Sequence, residues 1–220
     1  MILCNYQKIH TKHLHPSRIY VASPTRKIGS KWDLLNSKDV TIVNKALLKL
    51  LNKKYKNRIY DVNYKTVYNY NIEYEEKPDI NLLERIMKEQ EQIIKNYGKD
   101  IADNVLIIYD DCAALKRFFN SEVFVEMLFN SRHYKISTII TSQSYFKIPK
   151  PIRENASGLL LFNTGNKKEL KLIYEENNGD LSDDEFLQMF KDVCVDYNFL
   201  YINYQNDSKH RYENCFEEFI

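Results

Sequence analysis

The sequence predicts an α/β protein with a mainly parallel sheet and helices on both faces. Three observations carry that expectation. Runs of strand length are continuously apolar rather than alternating, as in VLIIY (105–109) and GLLLF (158–162), the pattern of strands buried on both faces. Stretches of helical period lie between these runs, as in alternating β and α units. At 220 residues, 44% of them hydrophobic, the chain is long enough for one substantial core. Neither an internal repeat nor a linker divides it, so a single domain over 1–220 is expected.

The elements follow in order. Ile2, Leu3, Tyr6 and Ile9 fall near helical spacing, predicting a helix over 2–14 that Pro16 and Ser17 end. RIYVASPT then predicts a strand over Ile19 to Ser23, stopped by Pro24. Val43, Ala46, Leu47, Leu50 and Leu51 form one stripe of a helix over 40–55. The Tyr/Asn-rich stretch 60–76 predicts a short strand and loops. Asp79 is placed to cap a helix over about 80–97, which Gly98 ends. After the strand 105–109 come a helix near 121–130 and a β-branched strand, ISTIITSQ, over 136–143. Beyond the run at 158–162, Ser182 and Glu185 make a capping box for a helix over 183–195. NFLYINY (198–204) is the last strand.

Net charge is only +2, but its distribution is uneven. Residues 1–60 hold 13 Lys or Arg against Asp33 and Asp39, a balance of +11, while the rest of the chain carries −9. Such asymmetry points to an anionic partner such as nucleic acid. Lys45, Lys49, Lys53 and Lys56 would share one helix face. That face is either a DNA-phosphate contact or a solvated surface. Cys4, Cys112, Cys194 and Cys215 are too far apart for a zinc ribbon or redox pair and read as reduced thiols. No secretory leader and no apolar run near the roughly 20 residues that span a bilayer is present. A soluble intracellular chain is expected.

The densest chemical signal is NVLIIYDDCAAL, where an apolar strand runs into Asp110 and Asp111. Ligands of open parallel sheets sit beyond the carboxyl ends of the strands. An acid delivered there can hold hydrated Mg²⁺ against nucleotide phosphates, and its neighbour can orient or deprotonate the attacking water. A strand-terminal cap would account for one acid without such chemistry. On the next strand, Gln143 follows Thr141 and Ser142; its neutral amide suits holding a water near a γ-phosphate, or is an ordinary strand-terminal polar group.

These residues carry a resemblance. The series IYVASPT…W, LIIYDD, SRHYKISTIITSQSYFKIPKPIRENA, LLLF and FLYINYQNDSKHRYENCFEEFI resembles the poxvirus-type genome-packaging ATPases of the FtsK/HerA superfamily. Such proteins occur in large DNA viruses, virophages and Maverick-type elements. The resemblance spans nearly the whole chain. It implies a RecA-like P-loop NTPase core, assembled as a homo-oligomeric ring, that hydrolyses ATP with Mg²⁺. The ring would drive double-stranded DNA into a preformed capsid at a portal-type vertex. It implies action in the host cytoplasm or viral factory, with a transient station at the virion and no membrane. Asp110 falls on the metal-coordinating position, Asp111 on the catalytic acid and Gln143 on the sensor glutamine. Arg153 and Arg132 are the two arginines able to reach a γ-phosphate across a subunit interface, or else structural ion pairs or DNA contacts.

One departure is plain. The family needs G-x-x-x-x-G-K-[ST], whose backbone N–H groups and Lys cradle phosphates, and the 220 residues contain none. KIGSKWDLL offers Gly29, Ser30 and Lys31 but has Trp32 where the hydroxyl residue belongs. The chain reads as starting just past the loop, a start that also accounts for only 5 glycines. Either the coding region has been cut at an internal Met, or the product has lost nucleotide binding. Retention of Asp110, Asp111 and Gln143 together favours the first. As they stand, the 220 residues are expected to be inactive. The alternatives are a nonenzymatic DNA-binding relic or ring subunit of the same fold, and another DNA pump of the superfamily.

Other motifs are bland. His10, His13 and His15 lack a neighbouring carboxylate or thiol. Glu175, Glu176, Asp180, Asp183 and Asp184 read as a solvated loop and helix start. Ser142, Ser144 and His133 form no nucleophile set.

Overall fold

The computed structural model describes residues 16–24, 71–208, 210–215 and 217–218. The helices expected over 2–14 and 40–55 lie outside them. The chain divides into two compact units, residues 1–142 and 143–220, where the sequence predicts one domain.

In the first unit β1 (Pro16–Ala22), β2 (Asn71–Glu75), β3 (Asn104–Asp110) and β4 (Ile136–Thr141) form a parallel sheet in the order β2-β1-β3-β4. Helix α1 (Ile80–Tyr97) connects β2 to β3 and has the expected ends. Asp79 accepts from the Asn81 N–H, and Gly98, at φ 87°, supplies the positive φ that a side chain resists. Leu83, Ile86 and Met87 bury its apolar stripe. The short α2 (Lys116–Phe119) and then α3 (Glu122–Tyr134) lead into β4, with Ser121 capping α3.

One face of the sheet is aromatic. Tyr109 of β3 lies 5.2, 5.6 and 5.7 Å, ring to ring, from Phe118, Phe119 and Phe124. Tilted and edge-on packing of this kind adds to the area buried. The opposite face is aliphatic, with Ile19, Val21, Leu106 and Ile108 all buried. Gln90 of α1 is fully buried at 0% exposure. Its amide nitrogen donates to the carbonyls of Asp103 at 2.9 Å and Tyr134 at 2.8 Å, and its oxygen accepts from Arg18 at 2.6 Å. Every polar atom of that side chain is thereby matched.

The second unit corrects the expected sheet. The runs at 158–162 and 198–204 do form strands, β5 (Gly158–Phe162) and β6 (Phe199–Asn203), but they pair antiparallel. Together with β7 (Tyr212–Asn214) and β8 (Glu217–Glu218) they make a separate antiparallel sheet, order β5-β6-β7-β8. An apolar run fixes strand length, whereas direction depends on partners distant in sequence. Between β5 and β6 lie α5 (Lys167–Asn177) and α6 (Asp183–Val193). A one-turn helix, α4 (Lys150–Glu154), precedes β5. The Ser182/Glu185 capping box is present on α6. Phe186 and Phe190 of α6, Ile173 of α5, Leu161 of β5, and Leu200 and Ile202 of β6 fill this unit's core. Among the described residues no helix is long and apolar enough to cross a membrane.

Candidate functional site

At the carboxyl ends of β1, β3 and β4 three polar side chains, Ser23, Asp110 and Thr141, come together. Alternate residues of a strand share a face, and on the aliphatic face one registered row is Tyr74, Val21, Ile108 and Ile139. The next row along the strands is Ser23, Asp110 and Thr141. Ser23 Oγ donates to Asp110 Oδ2 at 2.8 Å, and Thr141 Oγ1 donates to Oδ1 at 2.9 Å. Asp110 is only 7% exposed. Burying a carboxylate is costly unless it is hydrogen-bonded, and a hydroxyl from each flanking strand meets that need.

The strand ends here because Asp111 turns into the left-handed region, at φ 54°, a conformation that Asp tolerates better than most residues. Its N–H donates to Thr141 Oγ1 at 3.0 Å. One hydroxyl therefore serves both acids, giving a proton to Asp110 and accepting from the Asp111 backbone. The adjacent carboxylates end in different settings: Asp110 buried and clamped, Asp111 half-buried on a turn. Cys112, beside them, is buried, with Sγ 3.3 Å from the Ala22 carbonyl oxygen. Burial first, then the charges of Asp110 and Asp111, push its thiol up to about 12. It stays protonated at neutral pH and is no nucleophile.

Topology places this row at a switch point. The chain runs outward from β1 to β2 on one side and from β3 to β4 on the other, so Ser23, just past β1, and Asp110, the last residue of β3, mark the carboxyl ends of the two strands between which the described order reverses. Open parallel sheets bind ligands at such places. The donor set is all oxygen, which suits a hard cation that keeps several waters and takes one or two carboxylates, as Mg²⁺ does. Among the described residues no three His, Cys, Asp or Glu side chains gather around one point. The described residues would offer such an ion a carboxylate rather than a complete cage.

The remaining candidates are dispersed. Gln143 is exposed and opens the second unit, two residues beyond β4. Arg132 is exposed on α3. Arg153, on α4, grips Glu176 with Nε at 2.8 Å and Nη2 at 2.7 Å, donates to the Ile148 carbonyl, and lies 4.9 Å above the Tyr145 ring. It occupies a structural ion pair, one of the roles that the sequence left open. Glu176 is thus no solvated loop residue: Tyr145 Oη also donates to it, at 2.9 Å. Chiefly the Arg153 hydrogen bonds hold its carboxyl below the usual range, against burial. Lys45, Lys49, Lys53, Lys56 and the Gly29–Lys31 stretch lie outside the described residues. Ser23 and Thr141 were visible in sequence only as strand residues; their spacing from Asp110 becomes informative once the register is known.

The family model of the poxvirus A32 protein matches residues 35–216. The chain belongs to the poxvirus A32 family. This is the poxvirus-type packaging-ATPase family that the sequence resembles. Among relatives, the uncharacterized protein 075L of Invertebrate iridescent virus 6 is 30% identical over 142 residues, covering 63% of this chain and 54% of that protein. The uncharacterized protein L437 of Acanthamoeba polyphaga mimivirus is 26% identical over 105 residues, covering 44% and 37%. The chain thus spans about half or less of the length of these relatives. Among solved structures, the genome packaging NTPase B204 from Sulfolobus turreted icosahedral virus 2, in complex with AMP, matches at a TM-score of 0.49 and 14% identity, covering 94% of this chain and 100% of that one. B204, the DNA-packaging ATPase of Sulfolobus turreted icosahedral virus, matches at 0.47 and 16%, covering 87% and 95%.

Proposed function

We propose that this chain carries the metal-binding and hydrolytic acids of a viral DNA-packaging ATPase, which couples Mg-ATP hydrolysis to movement of double-stranded DNA into a capsid. The observation that supports this reading is the Asp110 clamp: a buried carboxylate held by Ser23 and Thr141 at the switch point of a parallel sheet, in a member of the A32 family. Asp110 would hold hydrated Mg²⁺, which supplies positive charge against the nucleotide phosphates. Asp111, turned out of the strand, orients the attacking water and takes its proton. Gln143 senses the γ-phosphate. Arg132 is the better trans arginine for a ring, because Arg153 would first have to release Glu176.

The test is Mg-ATP hydrolysis by the protein supplied with a G-x-x-x-x-G-K-[ST] segment. Asp111→Asn keeps Mg-ATP binding and lowers turnover by about 100-fold or more, whereas Asp110→Ala weakens Mg-dependent binding itself. Near-wild-type turnover in both variants overturns the reading. A second reading, a non-hydrolysing DNA-binding subunit, draws on one observation: the balance of +11 over residues 1–60. DNA binding without turnover in the supplemented protein would select it.

A further inference from the structure

Glutamate at the third position of a helix ordinarily closes its own N-terminus. In α6, Glu185 does so, accepting from the Ser182 N–H at 2.8 Å and Ser182 Oγ at 2.6 Å, both at the surface. In α5 the equivalent residue, Glu169, does something else. Asn166 caps that helix, accepting from the N–H groups of Lys168 and Glu169. The Asn166 N–H is itself taken by Thr164 Oγ1 at 3.2 Å.

Glu169 is 6% exposed and turns toward the segment that follows Gln143. Its Oε1 accepts from Ser144 Oγ at 2.7 Å and from the Tyr145 N–H at 2.5 Å, and its Oε2 accepts from Thr164 Oγ1 at 2.9 Å. Burial pushes its carboxyl up, but the bonds from Ser144, Thr164 and the backbone of Tyr145 and Phe146 outweigh burial and hold it below the usual range. It is therefore ionised at neutral pH. A buried charge with this many donors fixes whatever carries the donors, and two of them are on the residues immediately after Gln143. Tyr145 is fixed again from its other end, where its hydroxyl donates to Glu176 and accepts from Asn177 at 3.1 Å.

We propose that Glu169 is the positioning residue for Gln143: it clamps Ser144 and Tyr145 and so sets where the sensor amide is presented. The proposal rests on the ATPase reading, in which Gln143 senses the γ-phosphate, and deepens it. Glu169 touches no substrate and acts through the backbone.

The test begins without nucleotide, on the 220-residue chain, by following the Gln143 side-chain amide resonances and hydrogen exchange of the Tyr145 N–H. Glu169→Gln and, separately, Ser144→Ala are compared with Ser182→Ala, which breaks the α6 cap in the same unit. Both clamp variants should move the Gln143 resonances, and Glu169→Gln should speed Tyr145 exchange roughly tenfold or more, the equivalent of one charge-assisted hydrogen bond. Ser182→Ala should change neither. With the phosphate-loop segment supplied, Glu169→Gln should lower kcat about tenfold while KM changes less than about twofold, since a transition-state contact and not ground-state binding is disturbed. Combined with Ser144→Ala, the losses should be less than additive. Unchanged Gln143 resonances and Tyr145 exchange in folded Glu169→Gln overturn the proposal. If that variant does not fold, unchanged resonances in Ser144→Ala do so. Altered Gln143 resonances in the clamp variants, together with a supplemented wild type that never turns over ATP, sink the ATPase reading and leave the clamp standing.

Discussion

Thr141 donates its hydroxyl proton to Asp110 across two neighbouring parallel strands, at 2.9 Å. The same oxygen accepts from the backbone after Asp110, so one threonine fixes both the acid and the turn that ends its strand. Thr141→Val keeps the shape and removes both bonds. It should cost about 1–3 kcal/mol in urea unfolding, the penalty of leaving buried polar groups unmatched. Thr141→Ser should recover most of that loss, and an equal loss in Ser and Val would place the effect in packing.

Asp111 occupies φ 54°, so its substitutions should sort by tolerance of the left-handed region. Asp111→Gly and Asp111→Asn should leave the melting temperature close to wild type. Asp111→Ala should destabilise by about 1 kcal/mol and a β-branched residue by more. The stability order is separate from the hydrolytic order, in which Asn and Gly should both fail. Equal melting temperatures for Gly and Val would mean that the turn does not constrain the residue.

Acid should loosen the second unit through Glu169 and Glu176. Both carboxyls are held below the ordinary glutamate value of 4.5, so near that pH the unfolded chain binds more protons than the folded one. Stability from these groups is complete above about 4.5 and is lost as pH falls through the depressed folded values. Melting curves from pH 7 downward should fall more steeply for wild type than for Glu169→Gln or Glu176→Gln. Parallel curves would remove these two residues from the acid response.

Duplex DNA binding should be independent of sequence and should lose salt dependence when Lys45, Lys49, Lys53 and Lys56 are changed to Gln. Each phosphate contact removed flattens the slope of log affinity against log salt by about 0.9. Titrations at several salt concentrations measure it. An unchanged slope returns these lysines to a solvated surface.

Among the described residues of the first unit, much was legible because its signals are local. Asp79 and Gly98 bracket α1 as expected, and an apolar run led directly to Asp110. The clamp around that acid was not legible, since Ser23 lies 87 residues away and meets it only through strand register. Helix α5 escaped notice for a different reason. Its acids, Glu175 and Glu176, resemble a solvated loop, although Leu170, Ile173, Tyr174 and Asn177 already repeat at helical spacing after a capping Asn166. The pairing of β5 with β6 spans two helices, and no short window contains it.

Gln90 has a consequence for how α1 can sit. With partners on Arg18, Asp103 and Tyr134, its amide can be satisfied in one alignment of helix and sheet. Sliding the helix by a turn, about 5.4 Å, would keep greasy surface against greasy surface while stranding the fully buried amide of Gln90. Aliphatic packing tolerates such slippage, but a polar hub of this kind forbids it. Gln90 thus acts as an indexing pin, making one of several near-equivalent seatings of α1 the native one.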